Sequence, residues 1–387
     1  MNKMNIAFLT PEYPHTSLTR SGGLGTSIRN LATELVTQGI EVTVFVTGQD
    51  RTQEFIDNGV SILAIAKKKY RFLGWYLERK RIQKIIQQEV KKREIELIEA
   101  PDWTGLSAFM SFSVPLVIRM NGSDGYFCYL EGRKQKWKHQ FLEGKALRSA
   151  DALLSASSFT GELTKKQFRL KKNVTTIHNS IDTSVFLPIN KTVKPLQLLY
   201  FGTLVRKKGV LELAPIFNEV VQQIPQAELL LVGKDNQDVF EHQSTWSLFQ
   251  KALNPEAKER VSHLAEVPYE EIKTYIAQAQ VVVLPSFAEA FPMTWLETLA
   301  MEKPLVSSNI GWANELMLDG QTGFTVNPKD HKLYVQRIVE LLSDNDLCEK
   351  FGKAGRRHVI DHFSTPIILP QNIAFYNRII HRFSNSR

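Results

Sequence analysis

Short apolar runs alternate with helical patterns along both halves of this 387-residue chain. In the first half the runs lie at residues 4–10, 41–47 and 115–120, and in the second half at residues 196–203 and 281–286. Strands that are separated by helices pair in parallel and need helices on both faces of the sheet. The alternation therefore predicts an α/β protein that contains parallel sheets covered by helices.

The alternation stops at residues 182–197, DTSVFLPINKTVKPLQ, which contain two prolines and whose second half lacks a helix or strand pattern. A chain of this length is expected to form more than one domain, at roughly 150 residues per domain. We therefore predict a linker in this segment and two doubly wound, Rossmann-like domains that face an interdomain cleft. Because ligands bind such sheets at the carboxyl ends of the strands, the cleft is the predicted site.

Composition narrows the class of protein. A hydrophobic content of 43% and a charged content of 23% are ordinary for a soluble globular chain. The two cysteines, Cys128 and Cys348, have no motif spacing, so we expect neither a disulfide framework nor a metal site. The N-terminus reads as a strand, and no apolar run reaches about 18 residues, so the predicted location is cytoplasmic. The net charge of +8 favours an anionic partner: nucleotide, nucleic acid or lipid headgroup.

Two carboxylates stand out in the segment 284–306, LPSFAEAFPMTWLETLAMEKPLV. Glu289 follows an apolar strand pattern, and Glu297 lies among apolar residues of a helix that Pro292 is suited to begin. Amides at such a helix start attract a phosphate, and carboxylates accept hydrogen bonds from sugar hydroxyls. The alternative is a solvated Glu289 and a Glu297 that pairs with a lysine.

Glycines lie between the first strand and the first helix, in RSGGLGTSIRNLATEL. Gly22, Gly23 and Gly25 let a ligand approach the backbone closely. Their G-G-x-G spacing is not the dinucleotide fingerprint G-x-G-x-x-G. A tight turn without a ligand is the alternative interpretation.

A cluster of cations follows the strand LQLLYFGT. Arg206, Lys207 and Lys208 precede Gly209 and a helix predicted over Val210–Gln223. Cations at the carboxyl end of a strand can neutralise a diphosphate, arginine through a fork of donors and lysine as a point charge. A solvated basic turn is the alternative.

Together and in this order, these segments resemble the GT-B glycosyltransferases of the retaining, glycogen-synthase-like superfamily, often called glycosyl transferases group 1. The resemblance covers nearly the whole chain. It rests on GGLGTSIRNLATEL, TTIHNSIDTSVFLP, FGTLVRKKG, FAEAFPMTWLETLA and NIGWANELMLDGQTGFTV. The fourth segment has the family's two glutamates, and the fifth has Glu315, Gly320 and Gly323 at the family's positions.

The resemblance implies a domain organisation and a reaction. An acceptor-side Rossmann-like domain would span residues 1–190, a nucleotide-sugar-binding domain residues 191–363, and a helix at 364–387 would cross back to the first domain. The enzyme would move a sugar, with retention, from a nucleoside-diphosphate sugar to a glycan or lipid-linked acceptor, in the synthesis of a cell-surface polysaccharide. Because cations and helix-start amides would stabilise the leaving diphosphate, no metal or other cofactor is expected, and no D-x-D motif is placed to bind a metal.

The resemblance also implies roles for charged residues. Glu289 would hold hydroxyls of the transferred sugar beside the anomeric centre, and Glu297 would bind the ribose. Arg206 and Lys208 would neutralise the diphosphate. The family often has an arginine where this chain has Thr203, so Arg206 would have to replace it.

Backbone groups complete the implied donor site. The amides of Gly22 and Gly23 would meet the diphosphate or the acceptor. Backbone groups of Phe291, Pro292 and Met293 would line the sugar pocket.

The segment PLVIRMNGSDGYF departs from the family, which often has histidine where this chain has Asn121. An amide can hydrogen-bond a sugar hydroxyl but cannot titrate near neutral pH, which excludes a general-base role at this position. Asp124 is a candidate to orient the acceptor, and a loop cap is the alternative.

Two segments, 66–94 and 133–141, are basic and contain aromatic residues. Such segments can lie on an anionic membrane leaflet, which would suit a lipid-linked acceptor and a peripheral location on the inner face of the membrane. The alternative is a solvated helix whose aromatics pack inward.

Other functions remain open at this point. A nucleotide-sugar epimerase or a phosphorylase-like enzyme would use the same scaffold, and a non-catalytic bilobal protein would bind a ligand without turnover. A nucleic-acid-binding function rests on charge alone, because the chain has no helix-turn-helix, RNP-like or zinc-ligand pattern.

Overall fold

A computed structural model gives the structure of the protein and describes residues 4–19, 21–189 and 191–385. The chain forms two compact units. The first consists of Met1–Ser180 and Thr365–Arg387, and the second of Ile181–Ser364. The domain boundary predicted at residue 190 lies outside the described residues.

The first unit is built on a mostly parallel sheet. Among the described residues, eight strands form this sheet in the order β3-β4-β2-β1-β5-β6-β7-β8. All neighbours pair in parallel except β3 and β4. The elements in chain order are β1 (Asn5–Thr10), α1 (Gly23–Thr37), β2 (Glu41–Gln49), β3 (Gln53–Asp57), β4 (Val60–Ala66), α2 (Gly74–Lys92), β5 (Leu97–Pro101), β6 (Leu116–Met120), α3 (Asp124–Leu130), α4 (Trp137–Ser149), β7 (Ala152–Ser155), α5 (Ser158–Phe168) and β8 (Val174–Thr176).

Alternate residues of β1 show why helices cover both faces of this sheet. Ile6 and Phe8 belong to a buried cluster with residues of α1. Ala7 and Leu9, which point to the opposite face, belong to a separate cluster with residues of α2. The strand is therefore buried on both faces, which explains its nearly continuous apolar sequence.

The second unit has a sheet of its own, in which the six strands of the described residues are all parallel and follow the order β11-β10-β9-β12-β13-β14. The elements are β9 (Gln197–Phe201), α6 (Val210–Gln223), β10 (Glu228–Val232), α7 (Thr245–Ala252), α8 (Pro255–Lys258), β11 (Val261–Leu264), α9 (Ile272–Gln278), β12 (Val281–Leu284), α10 (Met293–Ala300), β13 (Leu305–Ser308), α11 (Ala313–Leu316), β14 (Phe324–Val326), α12 (His331–Ser343) and α13 (Asn345–Phe363). Central β9 and β12 are neighbours, so their carboxyl ends bring two loops together.

The last helix, α14 (Thr365–Ser384), is held in the first unit by a buried polar network. On β6, Arg119 forms two hydrogen bonds with Glu99 of β5, at 2.7 and 3.1 Å. Arg119 also donates to the side chains of Asn372 at 2.6 Å and Tyr376 at 3.2 Å, and Tyr376 donates to Glu99 at 2.7 Å. The helix therefore completes the hydrogen bonding of two charges that are buried in the sheet.

The predicted fold class, two α/β units with parallel sheets, is confirmed, and helix α6 has the predicted bounds. The antiparallel hairpin β3–β4 was not predicted. Asn58 and Gly59 form its turn, with φ angles of 48° and 80°, as a two-residue hairpin turn requires. The Asn58-Gly59 pair is the sequence feature that could have indicated this hairpin. The edge strands β11 and β14 were also not predicted.

Replacing Tyr376 with phenylalanine should destabilise the first unit by about 2 kcal/mol, because a buried carboxylate and guanidinium both lose a hydrogen-bond partner. Urea denaturation of the full chain measures the change. Tyr129→Phe, at a position 61% exposed, is the matched control. Equal unfolding midpoints for Tyr376→Phe and the wild type would show that the network does not hold α14.

Candidate functional site

An ion pair joins the loops that follow β9 and β12. The ammonium Nζ of Lys208 lies 2.9 Å from Oε1 of Glu289, and the hydroxyl of Ser286 donates to the same oxygen at 3.2 Å. The side chains of Lys208 and Glu289 are only 22% and 14% exposed. The interpretation of Glu289 as a solvated loop residue therefore does not fit the structure.

Backbone contacts explain why these two loops meet. The carbonyl of Lys207 accepts hydrogen bonds from the amides of Phe287 at 2.8 Å and Ala288 at 3.2 Å. Gly209 has a φ of 72°, and a Cβ at this position would lie 1.8 Å from the carbonyl oxygen of Pro285. Only glycine permits this approach, so Gly209 lets the basic turn pack against the end of β12.

Glu297 is buried on α10, with 3% exposure. The phenol of Tyr269 donates a hydrogen bond to its Oε1 at 2.7 Å. Burial raises the pKa of Glu297 to about 7, although the hydrogen bond from Tyr269 and the charge of Lys208 both lower it. Lys208 thus acts electrostatically on both glutamates, and Glu297 changes charge near neutral pH.

Arg206 lies in the same turn but has its own carboxylate. Its guanidinium forms two hydrogen bonds with Asp238, at 2.8 and 3.0 Å, and lies 5.4 Å from the centre of the Phe240 ring. The hydrogen bond to Asp238 raises the pKa of Arg206. Most of the charge of Arg206 is therefore balanced within the protein, which leaves Lys208 as the cation nearer the two glutamates.

The start of α10 continues the site from Glu289. Pro292 takes the N-cap position, and no side chain caps the helix. Phe291 is buried, with its ring 5.3 Å from that of Phe363, and Met293 is the first helical residue. The backbone of these residues is therefore held by packing close to the Glu289 loop.

In the first unit, the glycine loop lies at the start of α1. The carboxylate of Glu12 accepts hydrogen bonds from the amides of Gly22 at 3.1 Å and Gly25 at 2.8 Å. Gly23 begins the helix. A carboxylate thus lies where the helix start attracts an anion, and a ligand that used the amide of Gly22 would have to displace Glu12.

Asn121 and Asp124 follow β6 and rest on buried carboxyl groups. The amide of Asn121 donates to Asp102 at 3.1 Å, and the amide of Asp124 donates to Glu143 at 3.0 Å. Burial and then the charge of Glu143 raise the pKa of Asp102. The side chain of Asp124 contacts Nδ1 of His139 at 2.9 Å. These hydrogen bonds therefore fix the backbone of the loop that follows β6.

The predicted residues thus fall into two groups. The second unit brings together Lys208, Glu289 and the start of α10, with Glu297 and Arg206 beside them. The first unit carries Gly22 and Gly23 after β1, and Asn121 and Asp124 after β6. In the part of the chain that the structure describes, no group of three or more His, Cys, Asp or Glu residues could hold a metal ion.

Glu12, Asp238 and Tyr269 are among the contributors that were missed from the sequence. Each is separated in sequence from the residue it contacts and lies in a loop or short turn without a distinctive pattern. The only sequence feature that could have indicated one of them is the acidic residue in TPEYP, Glu12, which lies shortly before the glycine loop.

Comparisons with known proteins identify the family. The profile of Glycosyl transferases group 1 matches residues 186–358, and that of Glycosyltransferase Family 4 matches residues 21–185. The chain is 24% identical to the glycogen synthase of Mycobacterium tuberculosis over 388 residues, covering 93% of this chain and 91% of that protein.

Two solved structures show the shared fold. Sucrose-phosphate synthase from Thermosynechococcus elongatus has a TM-score of 0.82 at 20% identity, covering 98% of this chain and 100% of that chain. HepE of Anabaena, solved in complex with UDP, has a TM-score of 0.72 at 18% identity, covering 97% and 100%. The protein belongs to the glycosyl transferases group 1 and has the GT-B fold. It is a glycosyltransferase.

Removing the carboxyl group of Glu297 should stabilise the protein in a pH-dependent way. The folded protein retains a proton on Glu297 up to about pH 7, whereas the unfolded chain loses it near 4.5. Wild-type stability therefore falls as pH rises through this window. Relative to wild type, Glu297→Gln should gain about 3 kcal/mol between about pH 5 and pH 8. Denaturant unfolding at several pH values measures this, with Glu340→Gln on the surface of α12 as control.

The hydrogen bond from the phenol of Tyr269 should determine the pH at which the stability gain of Glu297→Gln levels off. Tyr269→Phe removes a hydrogen bond that favours ionised Glu297, so the pKa of Glu297 should rise above about 7. The stabilisation produced by Glu297→Gln should then level off at a higher pH in the Tyr269→Phe background than in the wild-type background. An unchanged end point would contradict the contact between Tyr269 and Glu297.

Proposed function

We propose that this glycosyltransferase moves a sugar, with retention, from a nucleoside-diphosphate sugar to a glycan or lipid-linked acceptor in cell-surface polysaccharide synthesis. The Lys208–Glu289 pair at the carboxyl ends of β9 and β12, beside buried Glu297, carries the proposal. The pair supplies a cation for a leaving diphosphate and a carboxylate for sugar hydroxyls within 2.9 Å of each other.

The donor would be bound mainly by the second unit. The ammonium group of Lys208 would interact with the diphosphate as well as with Glu289. Arg206 would donate one further hydrogen bond to the diphosphate while its other N–H groups remain bonded to Asp238. Glu289 would accept hydrogen bonds from the sugar beside the anomeric centre, and Glu297 would accept them from the ribose. Backbone groups of Phe291, Pro292 and Met293 would line the sugar pocket.

The transfer would proceed on one face of the sugar without a protein nucleophile. The bond between the anomeric carbon and the phosphate oxygen breaks, and a bond to the acceptor oxygen forms. The proton of the acceptor hydroxyl passes to the departing phosphate. Lys208 would stabilise the charge that develops on the diphosphate, so we propose that no metal is needed.

The first unit would serve the acceptor. Asn121 would hydrogen-bond a sugar hydroxyl without titrating, and Asp124, held by His139, would orient the acceptor. The amides of Gly22 and Gly23 would meet the diphosphate or the acceptor after Glu12 moves. We propose a location on the cytoplasmic face of a membrane, in peripheral contact, because a lipid-linked acceptor would be reached there.

Uridine diphosphate is the first donor product to test, because HepE, which shares the fold, was solved with UDP. Saturating UDP should raise the melting temperature of the wild type, because a ligand that binds only the folded state stabilises it. Lys208→Met should lose most of this shift. Lys353→Met, on the exposed face of α13, should keep it. A shift that Lys208→Met retains in full would overturn the role of Lys208.

Chelation tests the proposed metal independence. Turnover of a nucleotide sugar, measured as release of the nucleoside diphosphate in the presence of acceptor, should be unchanged by excess EDTA. Loss of activity that returns with added Mg²⁺ or Mn²⁺ would contradict the proposal. Release of the nucleoside diphosphate at the same rate without any acceptor would indicate hydrolysis and contradict transfer to an acceptor. Conversion of the nucleotide sugar without such release would favour an epimerase.

A further inference from the structure

Two basic segments that are far apart in the sequence meet on one surface of the first unit. The ring of Phe141, on α4, lies 6.0 Å from that of Phe109, which lies 5.7 Å from the rings of both Trp75 and Tyr76 on α2. Lys138, also on α4, lies 5.8 Å from the centre of the Trp75 ring. The N-terminal ends of α2 and α4 are therefore side by side.

Large apolar side chains are exposed around this contact. The exposed fractions are 72% for Phe72, 65% for Leu73, 78% for Trp137 and 51% for Phe141. Leu73 also has a φ of 50°, a conformation that is unfavourable for leucine. The rings of Trp75 and Tyr76 are half-buried against Phe109, which agrees in part with the interpretation that the aromatics pack inward, but the four side chains above are exposed. A group of exposed apolar residues on the surface of a folded unit marks an interaction surface.

The same surface is strongly basic. Neither residues 66–77 nor residues 132–142 contain an acidic residue. The nearby Glu78 and Glu131 pair with Arg81 and Arg133. The exposed cations are Lys67, Lys68, Lys69, Arg71, Lys134, Lys136, Lys138 and Lys145. We call these cations and the four exposed apolar side chains the basic aromatic face.

We propose that the basic aromatic face docks on the surface of an anionic lipid bilayer. The lysines would lie against acidic headgroups, and Trp137, Phe141, Phe72 and Leu73 would enter the interfacial region, where aromatic side chains are favoured. Among residues 4–19, 21–189 and 191–385, no helix is long and apolar enough to cross the membrane. The docking proposal rests on the proposed function only in the reason given for docking, which is access to a lipid-linked acceptor.

Cosedimentation of the full chain with vesicles tests the docking without any need for catalysis. Vesicles of phosphatidylcholine with phosphatidylglycerol should bind the protein at low salt, and pure phosphatidylcholine vesicles should not. Binding should weaken by more than about tenfold at about 0.5 M NaCl, because salt screens exposed charges. An absence of vesicle binding would leave the UDP thermal shift unchanged, so this experiment can contradict the docking proposal without contradicting the proposed function.

Variants identify the face. Trp137→Ser with Phe141→Ser, and separately Lys68→Glu with Lys134→Glu, should each weaken vesicle binding by about tenfold or more. The matched controls are Ile56→Ser, at an exposed apolar position on β3, and Lys258→Glu with Lys353→Glu in the second unit. The melting temperature of each variant without ligand, compared with that of the wild type, checks that every variant is folded.

Trp137 provides a second readout. Its fluorescence should shift to the blue on binding anionic vesicles, and Trp137→Phe should bind while losing that shift. Absence of binding to anionic vesicles at low salt would overturn the proposal, and so would equal binding of wild type and face variants. Tight binding to RNA or heparin without binding to vesicles would assign the face to a different anionic partner.

Discussion

The buried ion pair between Arg119 and Glu99 is the interaction on which the first unit depends. Two opposite charges inside a parallel sheet are stable only if their remaining hydrogen-bonding groups find partners. Asn372 and Tyr376 are those partners, and they lie more than 250 residues away in the sequence. The pair therefore requires α14 to return to the first sheet. The same two strands end at the loops that carry Asp102 and Asn121, so the network also supports the proposed acceptor-side residues.

The proposed donor site of the second unit contains a buried carboxyl group. Glu297 is buried and accepts a hydrogen bond from the phenol of Tyr269, and its burial raises its pKa to about 7. A group held so far from its usual pKa in a site of mixed charge is typical of a functional position. Ligand hydroxyls would donate further hydrogen bonds to the ionised carboxylate and offset its loss of hydration. Burial of the ionised carboxylate of Glu297 therefore explains both the loss of stability above neutral pH and the proposed binding of ribose.

The two units carry different kinds of charged surface. The second unit has a set of charges that are paired and partly buried. The first unit has exposed cations around exposed aromatic side chains, an arrangement that favours a broad anionic surface over a small ligand. A peripheral enzyme that acts on a lipid-linked acceptor would need both, and the proposed docking would place the acceptor-side unit against the bilayer.

The sequence by itself determined the fold class, most of the central strands and the order of the segments that identify the family. These properties depend on local patterns, such as the apolar runs of β1 and β9 and the spacing of Glu289 and Glu297. Only the tertiary structure decided which charges are paired. Lys208 meets Glu289 and Arg206 meets Asp238 because parallel pairing brings the ends of neighbouring strands to one edge of a sheet. Glu12 meets the glycine loop because the segment between β1 and α1 folds back on itself. Burial, which sets the pKa of Glu297, likewise depends on packing by distant parts of the chain.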